Sequence, residues 1–475
     1  MLSIFNTWSR KKEIFRPLKP KVAAFYSCGP TVYDYPHIGN MRAYVSADIL
    51  KRVLRYDGLK VKQVMNLTDV GHLVSDADDG EDKVAVAARQ RGQSAWEISG
   101  FFVDVFRRDL EMLNISNPDI FCRATDHIPE QIKLIKKLER KNFIYQTEDG
   151  LYFDSAKFRN YGQLARLKIK GLKAGARVKM LAGKKRATDF ALWKFSYPAG
   201  RDFDPEQDDE NKRRQMEWPS PWGLGFPGWH LECSAMAMKY LGETIDLHSG
   251  GIDHIPVHHT NEIAQSEAAT GKKFVRYWVH GAFLVVDGRK MSKSLGNIVT
   301  LDEIADRNFE PLAFRYLLLT AHYRAKINFT WVSLTAAQQS LRTLRLALAE
   351  WPVGDLNQNS PFLKKFRQAI DNDLNTPKAL AVLWEVFKSK ILPADKKALI
   401  LEFDKIFGLK LAESQTEKIE LAEAPSIVQA MAEKRETFRR NKKWAAADQL
   451  REKINAAGYL IEDTPAGPQL KKLRK

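Results

Sequence analysis

An alternation of strand and helix patterns between residues 22 and 66 constrains the fold of this chain more than any other feature. Residues 22–26 form a short apolar run that ends at Cys28-Gly29-Pro30, and residues 60–66 are a second segment of strand type. Between them, from Met41 onward, apolar residues recur at the spacing of one helix face. A strand, a helix and a strand in succession predict a βαβ unit, and therefore an α/β fold with a parallel sheet.

The pattern beyond residue 66 divides the chain into five parts. At 475 residues the chain is too long for one hydrophobic core. The strand–helix alternation stops near residue 128, resumes at Glu217 and gives way to helical periods after Leu301. We therefore expect a Rossmann-like α/β domain split by an insertion and followed by helical regions. The expected bounds are 1–127 for its first half, 128–216 for the insertion, 217–300 for its second half, 301–360 for a helical region and 361–475 for an α-helical C-terminal region.

Charge and cysteine content indicate the partners and the compartment. The 75 Lys and Arg residues exceed the 58 Asp and Glu residues, and the net charge of +17 favours an anionic partner such as a nucleic acid. A basic but otherwise ordinary surface is the alternative. Three cysteines, a small and odd number, argue against a disulfide framework, so we expect a cytoplasmic protein. No apolar run in the sequence has the length of a membrane span, and the first residues do not resemble a signal peptide.

Two short motifs contain residues suited to phosphate groups. In Pro36-His37-Ile38-Gly39-Asn40, a histidine and a glycine stand where the first helix begins, so backbone N–H groups and an imidazole can both meet a phosphate. In Lys290-Met291-Ser292-Lys293-Ser294, two lysines bracket small hydroxyl residues, which is typical of a cationic clamp on a polyphosphate. A chance loop sequence is the alternative for the first motif, and a solvated basic loop is the alternative for the second.

A third group of residues is suited to a metal ion. Cys28 follows the first strand, and Cys233 ends the string W-H-L-E-C. His258 and Glu262 are four residues apart, so both face one side if their segment is helical. Two thiolates, one imidazole and one carboxylate form a plausible Zn²⁺ set. The alternatives are a buried apolar role for each cysteine and a helix-surface pair for His258 and Glu262.

In this order, and across a split α/β domain, the two phosphate motifs resemble the signature of the class I aminoacyl-tRNA synthetases. In that family the first motif binds the ATP phosphates, and the second stabilises the transition state of adenylate formation. The resemblance therefore assigns catalytic roles of the first kind to His37 and Asn40, and of the second kind to Lys290 and Lys293. Asn40 stands where the family usually has a second histidine. It can donate a hydrogen bond but cannot carry charge.

The positions of the metal candidates resemble those of one group within this class, the cysteinyl-tRNA synthetases. Zinc is held there by the equivalents of Cys28, Cys233, His258 and Glu262, and the surrounding strings C-G-P-T-V-Y-D and G-G-I-D match as well. The resemblance implies one Zn²⁺ per chain, with a position left open for the sulfur of the substrate. Cys122 matches nothing in this set and is interpreted as a structural residue.

Selectivity gives such an enzyme a physical reason for a metal. A hydrophobic pocket separates side chains that differ by one small group by only about 100-fold. A zinc ion binds the substrate thiolate directly, and the hydroxyl of serine cannot compete as a soft anionic ligand. An editing domain is then not required, and the insertion is too short to contain one.

The resemblance also assigns contacts to ATP and to the amino acid. The ATP-binding residues are His37, Gly39, Asn40, Gly250, Asp253 and Lys293. The residues of the amino-acid pocket are Thr31, Thr68, Trp229 and His259. For Trp229, a role as an aromatic core residue is the alternative. The acidic stretch around 70–82 departs from the shorter form common in the family and is interpreted as a surface insertion.

The C-terminal region has the features of an RNA contact. A basic string from Arg439 to Lys443 precedes Trp444, and basic residues beside an aromatic side chain suit phosphate contact with stacking on an unpaired base. A charged helical face is the alternative. The resemblance implies that residues 361–475 bind the anticodon and that residues 301–360 contact the tRNA stem.

The resemblance implies a ligase that activates L-cysteine with ATP to cysteinyl-adenylate and transfers it to the 3′ end of tRNA(Cys). Mg²⁺ is expected to accompany ATP. We expect a monomer without membrane association. Two alternatives stay open. A ligase that joins activated cysteine to an amino-sugar acceptor would lack the region after residue 361, and a non-catalytic cysteine or zinc sensor would have lost Lys293 or a zinc ligand.

Overall fold

The chain folds into two compact units. The computed structural model describes residues 1–73, 80–167, 183–208, 214–292, 295–413, 416–464 and 467–473. The N-terminal unit consists of Met1–Glu111, Ser116–Phe283 and Tyr323–Ala325, and the C-terminal unit consists of Met112–Ile115, Leu284–His322 and Lys326–Lys475. Each unit is described by itself below.

Strands and helices alternate through most of the N-terminal unit. Its strands are β1 (Ser3–Asn6), β2 (Lys11–Ile14), β3 (Val22–Ser27), β4 (Lys60–Leu67), β5 (Ile120–Arg123), β6 (Ile144–Thr147), β7 (Gly150–Phe153), β8 (Phe190–Phe195), β9 (Gly225–Pro227), β10 (Ile245–Gly251) and β11 (Val275–Gly281). Its helices are α1 (Ile38–Tyr56), α2 (Lys83–Arg91), α3 (Ala95–Met112), α4 (Ile128–Arg140), α5 (Trp229–Leu241) and α6 (His258–Thr270).

A five-stranded parallel sheet in the order β11-β10-β3-β4-β5 forms the centre of this unit. In its register Tyr26 lies between His248 and Val64. Because all strands run in one direction, their carboxyl ends meet at one edge, where ligands bind in open α/β sheets. The hairpin β1–β2 continues beside β11, where the N–H of Thr7 donates to the carbonyl of Trp278 at 2.8 Å. The predicted α/β class with a parallel sheet is confirmed.

An insertion follows β5 and contains its own sheet. Helix α4 is followed by four antiparallel strands in the order β6-β7-β8-β9. Their core, which includes Phe153 and Trp193, also contains Leu231 of α5 and Ala264 of α6. The insertion therefore packs against the two helices that carry three of the four candidate metal ligands.

The C-terminal unit is mainly helical. Its helices are α7 (Leu301–Asp306), α8 (Pro311–Leu319), α9 (Trp331–Glu350), α10 (Pro361–Asp371), α11 (Thr376–Lys388), α12 (Pro393–Phe407), α13 (Ser426–Arg440) and α14 (Trp444–Ala456). Its strands are β12 (Leu284–Val286), β13 (Arg289–Lys290), β14 (Ile327–Phe329), β15 (Thr416–Ile419), β16 (Tyr459–Thr464) and β17 (Gly467–Leu473).

One arginine explains why residues 112–115 belong to the C-terminal unit. Arg315 of α8 is fully buried, and its guanidinium donates to the carbonyls of Leu113 at 2.9 Å and Phe407 at 2.6 Å. A buried cation that is satisfied by carbonyl groups from separate segments ties those segments together.

The predicted C-terminal helices are present, and the end of the chain adds a sheet that helical periodicity did not predict. Strands β15, β17 and β16 form an antiparallel sheet in that order, and α13 and α14 pack on it around a core that includes Val428, Ile454 and Ile461. No helix in the described part of the chain is long and apolar enough to cross a membrane.

Candidate active site and metal centre

The carboxyl edge of the parallel sheet collects most of the residues that the sequence analysis assigned to the site. Cys28 follows β3, Thr68 follows β4, and Gly250 lies at the end of β10. The segments after β3 and β4 remain paired, since the N–H of Val32 donates to the carbonyl of Thr68 at 3.0 Å. Sheet topology alone therefore brings together residues that are up to about 220 positions apart in the chain.

The four candidate metal ligands form one buried cluster. The ligand atoms of Cys28, Cys233, His258 and Glu262 all lie within 4.8 Å of one another. Cys233 and Glu262 are fully buried, and His258 is 2% exposed. His258 and Glu262 face the same side of α6, with 3.1 Å between Nε2 and Oε1. The residue types match a Zn²⁺ site, and the cluster can hold a metal ion.

The four candidate ligands differ in their protonation states. The Cys28 thiol donates to Cys233, and this bond lowers the pKa of Cys233 to about 6, whereas burial raises the pKa of Cys28 well above its usual value. Burial alone would raise the pKa of Glu262, but His248 and His258 lower it to about 2. Burial opposes the charge on His258, yet Cys233 and Glu262 raise its pKa to about 10. At neutral pH the cluster thus contains a thiolate, a carboxylate and an imidazolium.

The sequence analysis predicted His258 and His259 as site residues but not the other four histidines at this cluster. His248 Nε2 lies 2.9 Å from Glu262 Oε2, and His259 Nε2 lies 3.3 Å from Cys28 Sγ. His259 Nδ1 in turn lies 2.7 Å from His280 Nε2. Of the ten histidines in the chain, six are gathered here: His230, His248, His254, His258, His259 and His280. The available signal for His248 was its position two residues before the Gly250-Gly251 pair.

A second set of four atoms is equally compact. The ligand atoms of Cys28, His248, His259 and Glu262 also lie within 4.8 Å of one another. His259 was assigned to the amino-acid pocket by resemblance, and here it is fully buried beside the cluster. Burial lowers the pKa of His259 well below its usual value, so it is neutral at physiological pH. Geometry by itself admits either set as ligands.

The His37 motif begins α1 with reciprocal hydrogen bonds. His37 is the N-cap, and its Nδ1 accepts the N–H of Asn40 at 3.2 Å, while Asn40 Oδ1 accepts the N–H of His37 at 3.1 Å. Burial lowers the pKa of His37, so the ring is neutral and its proton lies on Nε2. An N–H donor and a helix N-terminus together suit a phosphate group. Asn40 thus also has a structural role, as the partner of His37 in capping α1.

The two glycines that end β10 lie close to neighbouring side chains. A Cβ atom on Gly250 would lie 2.7 Å from the rings of His254 and His259, and one on Gly251 would lie 2.2 Å from Asp253 Oδ1. The Asp253 side chain is 58% exposed. Its carboxylate is therefore accessible at the same sheet edge as Cys28.

Trp229, predicted to form a wall of the amino-acid pocket, lies at the start of α5 and is partly buried. Its ring centroid is 4.4 Å from that of His258, and on its other side it stacks on His72 at 4.0 Å. Thr31 Oγ1 lies 2.6 Å from His72 Nδ1. His72 was not among the predicted site residues. The acidic positions 74–79 that follow it lie outside the described residues.

The second phosphate motif belongs to the C-terminal unit. Lys290 ends the hairpin β12–β13, and its carbonyl accepts the side-chain N–H of Asn297 at 3.1 Å. Asn297 Oδ1 accepts the N–H of Ser292 at 2.9 Å, so this asparagine closes the loop. The Lys290 side chain is exposed. Lys293, predicted as a catalytic residue, lies outside the described residues.

The basic and aromatic segment near the C-terminus is accessible. The Trp444 side chain is 56% exposed at the start of α14, and the Arg439 guanidinium lies 5.7 Å from its ring centroid. Arg440, Lys442 and Lys443 are exposed as well. This exposure is compatible with both interpretations of the segment, the RNA contact and the charged helical face.

Family comparisons identify the two types of domain. A model described as the class I (C) catalytic domain of tRNA synthetases matches residues 14–339. A second model, described as the DALR domain, matches residues 365–390, which span parts of α10 and α11. The first match covers both halves of the parallel sheet and both phosphate motifs.

Named relatives match along almost the whole chain. Cysteine--tRNA ligase 1 of Burkholderia lata is 50% identical over 470 residues, which cover 99% of this chain and 96% of that protein. Cysteine--tRNA ligase of Treponema denticola is 42% identical over 504 residues, which cover 99% of this chain and 100% of that protein.

Solved structures share the fold at low sequence identity. A Mycobacterium tuberculosis methionyl-tRNA synthetase in complex with methionyl-adenylate has a TM-score of 0.54 and 18% identity, and the match covers 83% of this chain and 90% of that chain. A leucyl-tRNA synthetase of Agrobacterium radiobacter in a ternary complex with tRNA has a TM-score of 0.59 and 12% identity, with coverages of 84% and 85%. These similarities concern the fold alone.

Proposed function

The chain belongs to the cysteine--tRNA ligase family of class I aminoacyl-tRNA synthetases, and we propose that the residues described above activate L-cysteine with ATP and transfer it to tRNA(Cys). The ligase reaction consumes ATP and releases AMP and diphosphate. One observation carries the assignment of residues: four ligand atoms lie within 4.8 Å at the sheet edge where α1 also begins.

We assign Cys28, Cys233, His258 and Glu262 as zinc ligands. The set fits, because the four ligand atoms are buried and lie within 4.8 Å of one another, and because Cys233 is already a thiolate at neutral pH. Zinc bound there would offer a position to the substrate thiolate, which the hydroxyl of serine does not fill. His248 orients the Glu262 carboxylate through its bond to Oε2.

ATP is held in this proposal at the beginning of α1. His37 donates from Nε2 to a phosphate oxygen, since its Nδ1 is occupied as an acceptor. Gly39 and Asn40 present the first turn of the helix, whose positive end attracts the phosphates. Gly250 leaves room for the adenosine, and the exposed Asp253 carboxylate is suited to the ribose hydroxyls. We propose Mg²⁺ as the companion of ATP, held mostly by phosphate oxygens and water.

Attack of the cysteine carboxylate on the α-phosphate gives cysteinyl-adenylate and diphosphate. In the proposed mechanism Lys290 and Lys293 offset the negative charge that develops on the phosphates. The terminal ribose hydroxyl of the tRNA then attacks the carbonyl of the adenylate and releases AMP. No side chain becomes a covalent nucleophile, so the protein acts by positioning and by charge.

We further propose that residues 361–475 bind the anticodon, that residues 301–360 contact the tRNA stem, and that Trp444 stacks on an unpaired base. We also propose a monomer as the working unit. The three cysteines are all free thiols, which supports a reducing cytoplasm as the compartment.

Cysteine-dependent ATP–diphosphate exchange on purified protein tests the proposed chemistry. We expect exchange with cysteine and none with serine, and we expect its loss in Cys233→Ala. Cys122→Ala is the matched control, because Cys122 is buried but lies outside the cluster, with Sγ 3.5 Å from the Met65 carbonyl. No exchange from folded, zinc-loaded protein would overturn the mechanism and favour a sensor. Exchange without charging of tRNA(Cys) would favour another acceptor, such as an amino-sugar.

A further inference from the structure

The segment that carries His72 is held rigidly beside the amino-acid pocket. Gly71 has a φ of +79°, and a Cβ atom there would lie 2.4 Å from the Pro227 carbonyl oxygen, so only glycine fits. The Gly71 N–H donates to Asp82 Oδ2 at 2.6 Å, and the N–H of Lys83 donates to the His72 carbonyl at 3.0 Å. The position of His72 is therefore fixed by its own segment and by the start of α2.

Two hydrogen bonds determine which nitrogen of His72 carries the proton. Nε2 lies 2.6 Å from the Lys83 ammonium, which can only donate, so Nε2 is the acceptor. Burial, and secondly Lys83, lower the pKa of His72 well below its usual value, so the ring is neutral. Its single proton is then on Nδ1, which donates to Thr31 Oγ1 at 2.6 Å.

This arrangement leaves the hydroxyl hydrogen of Thr31 available. The Thr31 oxygen accepts from His72, and Thr31 Oγ1 has no other hydrogen-bond partner among the described residues. A hydroxyl has one hydrogen to donate, and that hydrogen needs an acceptor. In a bound cysteine the thiolate is assigned to the metal and the ammonium group only donates. The carboxylate is therefore the acceptor that remains.

The same imidazole also supports the opposite wall of the pocket. The rings of His72 and Trp229 are stacked, with 4.0 Å between centroids and 7° between planes. Trp229 also contacts the metal-ligand candidate His258, with 4.4 Å between ring centroids. A stacked pair restricts the aromatic ring beyond what burial alone does.

We propose that His72 is a positioning residue of the amino-acid pocket, which holds the Trp229 ring by stacking and directs the Thr31 hydroxyl toward the carboxylate of the bound cysteine. This inference rests on the proposed function, because it uses the pocket assigned there. It concerns the affinity for the amino acid and not the binding of ATP.

Three substitutions of His72 separate its stacking on Trp229 from its hydrogen bonds. His72→Phe keeps a ring for stacking but removes both hydrogen bonds, and His72→Gln keeps a donor and an acceptor but removes the ring. We expect each to raise the KM for cysteine in the exchange reaction about 10-fold. His72→Ala removes both contributions and is expected to raise it about 100-fold. The KM for ATP and the zinc content are expected to stay within about twofold of the unsubstituted values in all three.

His127→Phe is the matched control. His127 is also buried in the N-terminal unit and bonded at both nitrogens, to the Arg123 carbonyl at 2.6 Å and the Tyr240 hydroxyl at 2.8 Å, but it lies outside the pocket. The His127→Phe substitution is expected to lower the melting temperature without changing the KM for cysteine. A specific rise in the KM for cysteine in the His72 variants, absent in the control, supports the inference.

Two results would overturn the inference about His72. One is an unchanged KM for cysteine in an active His72→Ala enzyme, and the other is an equal rise in the KM values for cysteine and ATP. If His72→Ala does not fold, the Phe and Gln variants decide by the same criterion. Absence of cysteine-dependent exchange in the unsubstituted chain would overturn the proposed function, and this inference with it.

Discussion

At the scale of single residues, the metal cluster is notable for the protons that it holds before a metal binds. The Cys28 thiol and the His258 imidazolium carry protons at pH 8, because burial raises the pKa of Cys28 and because Cys233 and Glu262 raise the pKa of His258 to about 10 against the effect of burial. With pKa values of about 6 and about 2, Cys233 and Glu262 are already ionised at that pH.

Zinc binding at pH 8 is therefore expected to release about two protons, one from Cys28 and one from His258. The apparent affinity should rise about 100-fold for each pH unit between 7 and 9, and more steeply below the pKa of Cys233, where a third proton must leave. Titration calorimetry in buffers with different ionisation enthalpies counts these protons. A release close to zero would contradict the charge state described here.

The second prediction at this scale concerns the substitution of Cys233, one of the proposed zinc ligands. Cys233→Ser is expected to weaken zinc binding about 100-fold or more, since a hydroxyl is a poor replacement for a thiolate ligand. Cys122→Ser should retain zinc, because Cys122 lies on β5 outside the cluster. Metal analysis after dialysis against a weak chelator measures the difference, and equal zinc loss in both variants would exclude Cys233 as a ligand.

Asn40 provides a third prediction, which separates helix capping from ATP binding. Asn40→Ala removes the acceptor of the His37 N–H and is expected to cost about 1 kcal/mol of stability. Asn40→Asp keeps an acceptor at that place but brings a negative charge toward the phosphates. It should unfold like the unsubstituted protein and raise the KM for ATP about 10-fold. Thermal unfolding and exchange kinetics together test both statements, and an unchanged KM for ATP in Asn40→Asp would place the phosphates elsewhere.

At the scale of elements, the C-terminal sheet is joined to α13 by an ion pair between a buried arginine and an exposed aspartate. Arg435 is 1% exposed, and its guanidinium donates to both carboxylate oxygens of Asp463 on β16, at 2.8 and 3.0 Å. Arg439, one turn further along α13, contacts the same carboxylate at 2.9 Å. A buried guanidinium is costly without its partner, so this pair determines how the helix docks on the sheet.

Asp463→Asn is accordingly expected to destabilise the C-terminal sheet and α13 by roughly 2–3 kcal/mol. The bond from Arg435 lowers the pKa of Asp463, so this stabilisation is present above the unfolded pKa of about 4 and is lost as the pH falls through the folded value. Hydrogen exchange of α13 and β16 against pH measures both effects. Asp448→Asn, at an exposed position of α14, is the control and should change neither.

At the scale of the whole molecule, the two units divide the chemistry between them. The metal cluster and the His37 motif belong to the N-terminal unit, whereas the Lys290 motif and the proposed RNA contact belong to the C-terminal unit. The net charge of +17 is consistent with a polyanionic substrate, but only the position of exposed basic residues can assign the contact.

Charge reversal tests that assignment. Arg440→Glu combined with Lys442→Glu and Lys443→Glu is expected to raise the KM for tRNA at least about 10-fold and to flatten the salt dependence of binding by about one unit for each lost phosphate contact. ATP–diphosphate exchange without tRNA does not use the proposed RNA contact and should persist. Lys11→Glu combined with Lys60→Glu, both exposed in the N-terminal unit, is the control. Equal losses in the two variants would indicate a general charge effect.

The helix-face spacing after Met41, the strand segments that flank it and the motif residues follow from local sequence, and the parallel sheet that they predicted is confirmed. Local patterns suffice there because helix and strand periodicity is a property of neighbouring residues. The i, i+4 spacing of His258 and Glu262 likewise placed both on one face of α6. The C-terminal sheet was not predicted. Its strand β15 pairs with β17 across α13 and α14, and periodicity does not report a pairing between distant segments.

Which side chains meet in space was decided by the tertiary structure alone. His248 reaches Glu262 because the register of β10 places it beside Tyr26 of β3, and His72 reaches Trp229 because Gly71 permits a close approach to Pro227. The sequence by itself determined the type of chemistry, since thiolate, imidazole and carboxylate ligands and lysine charges are properties of residue types. Packing determined which of the ten histidines meet at the cluster, and their burial, tautomers and pKa values depend on neighbours that lie far apart in the chain.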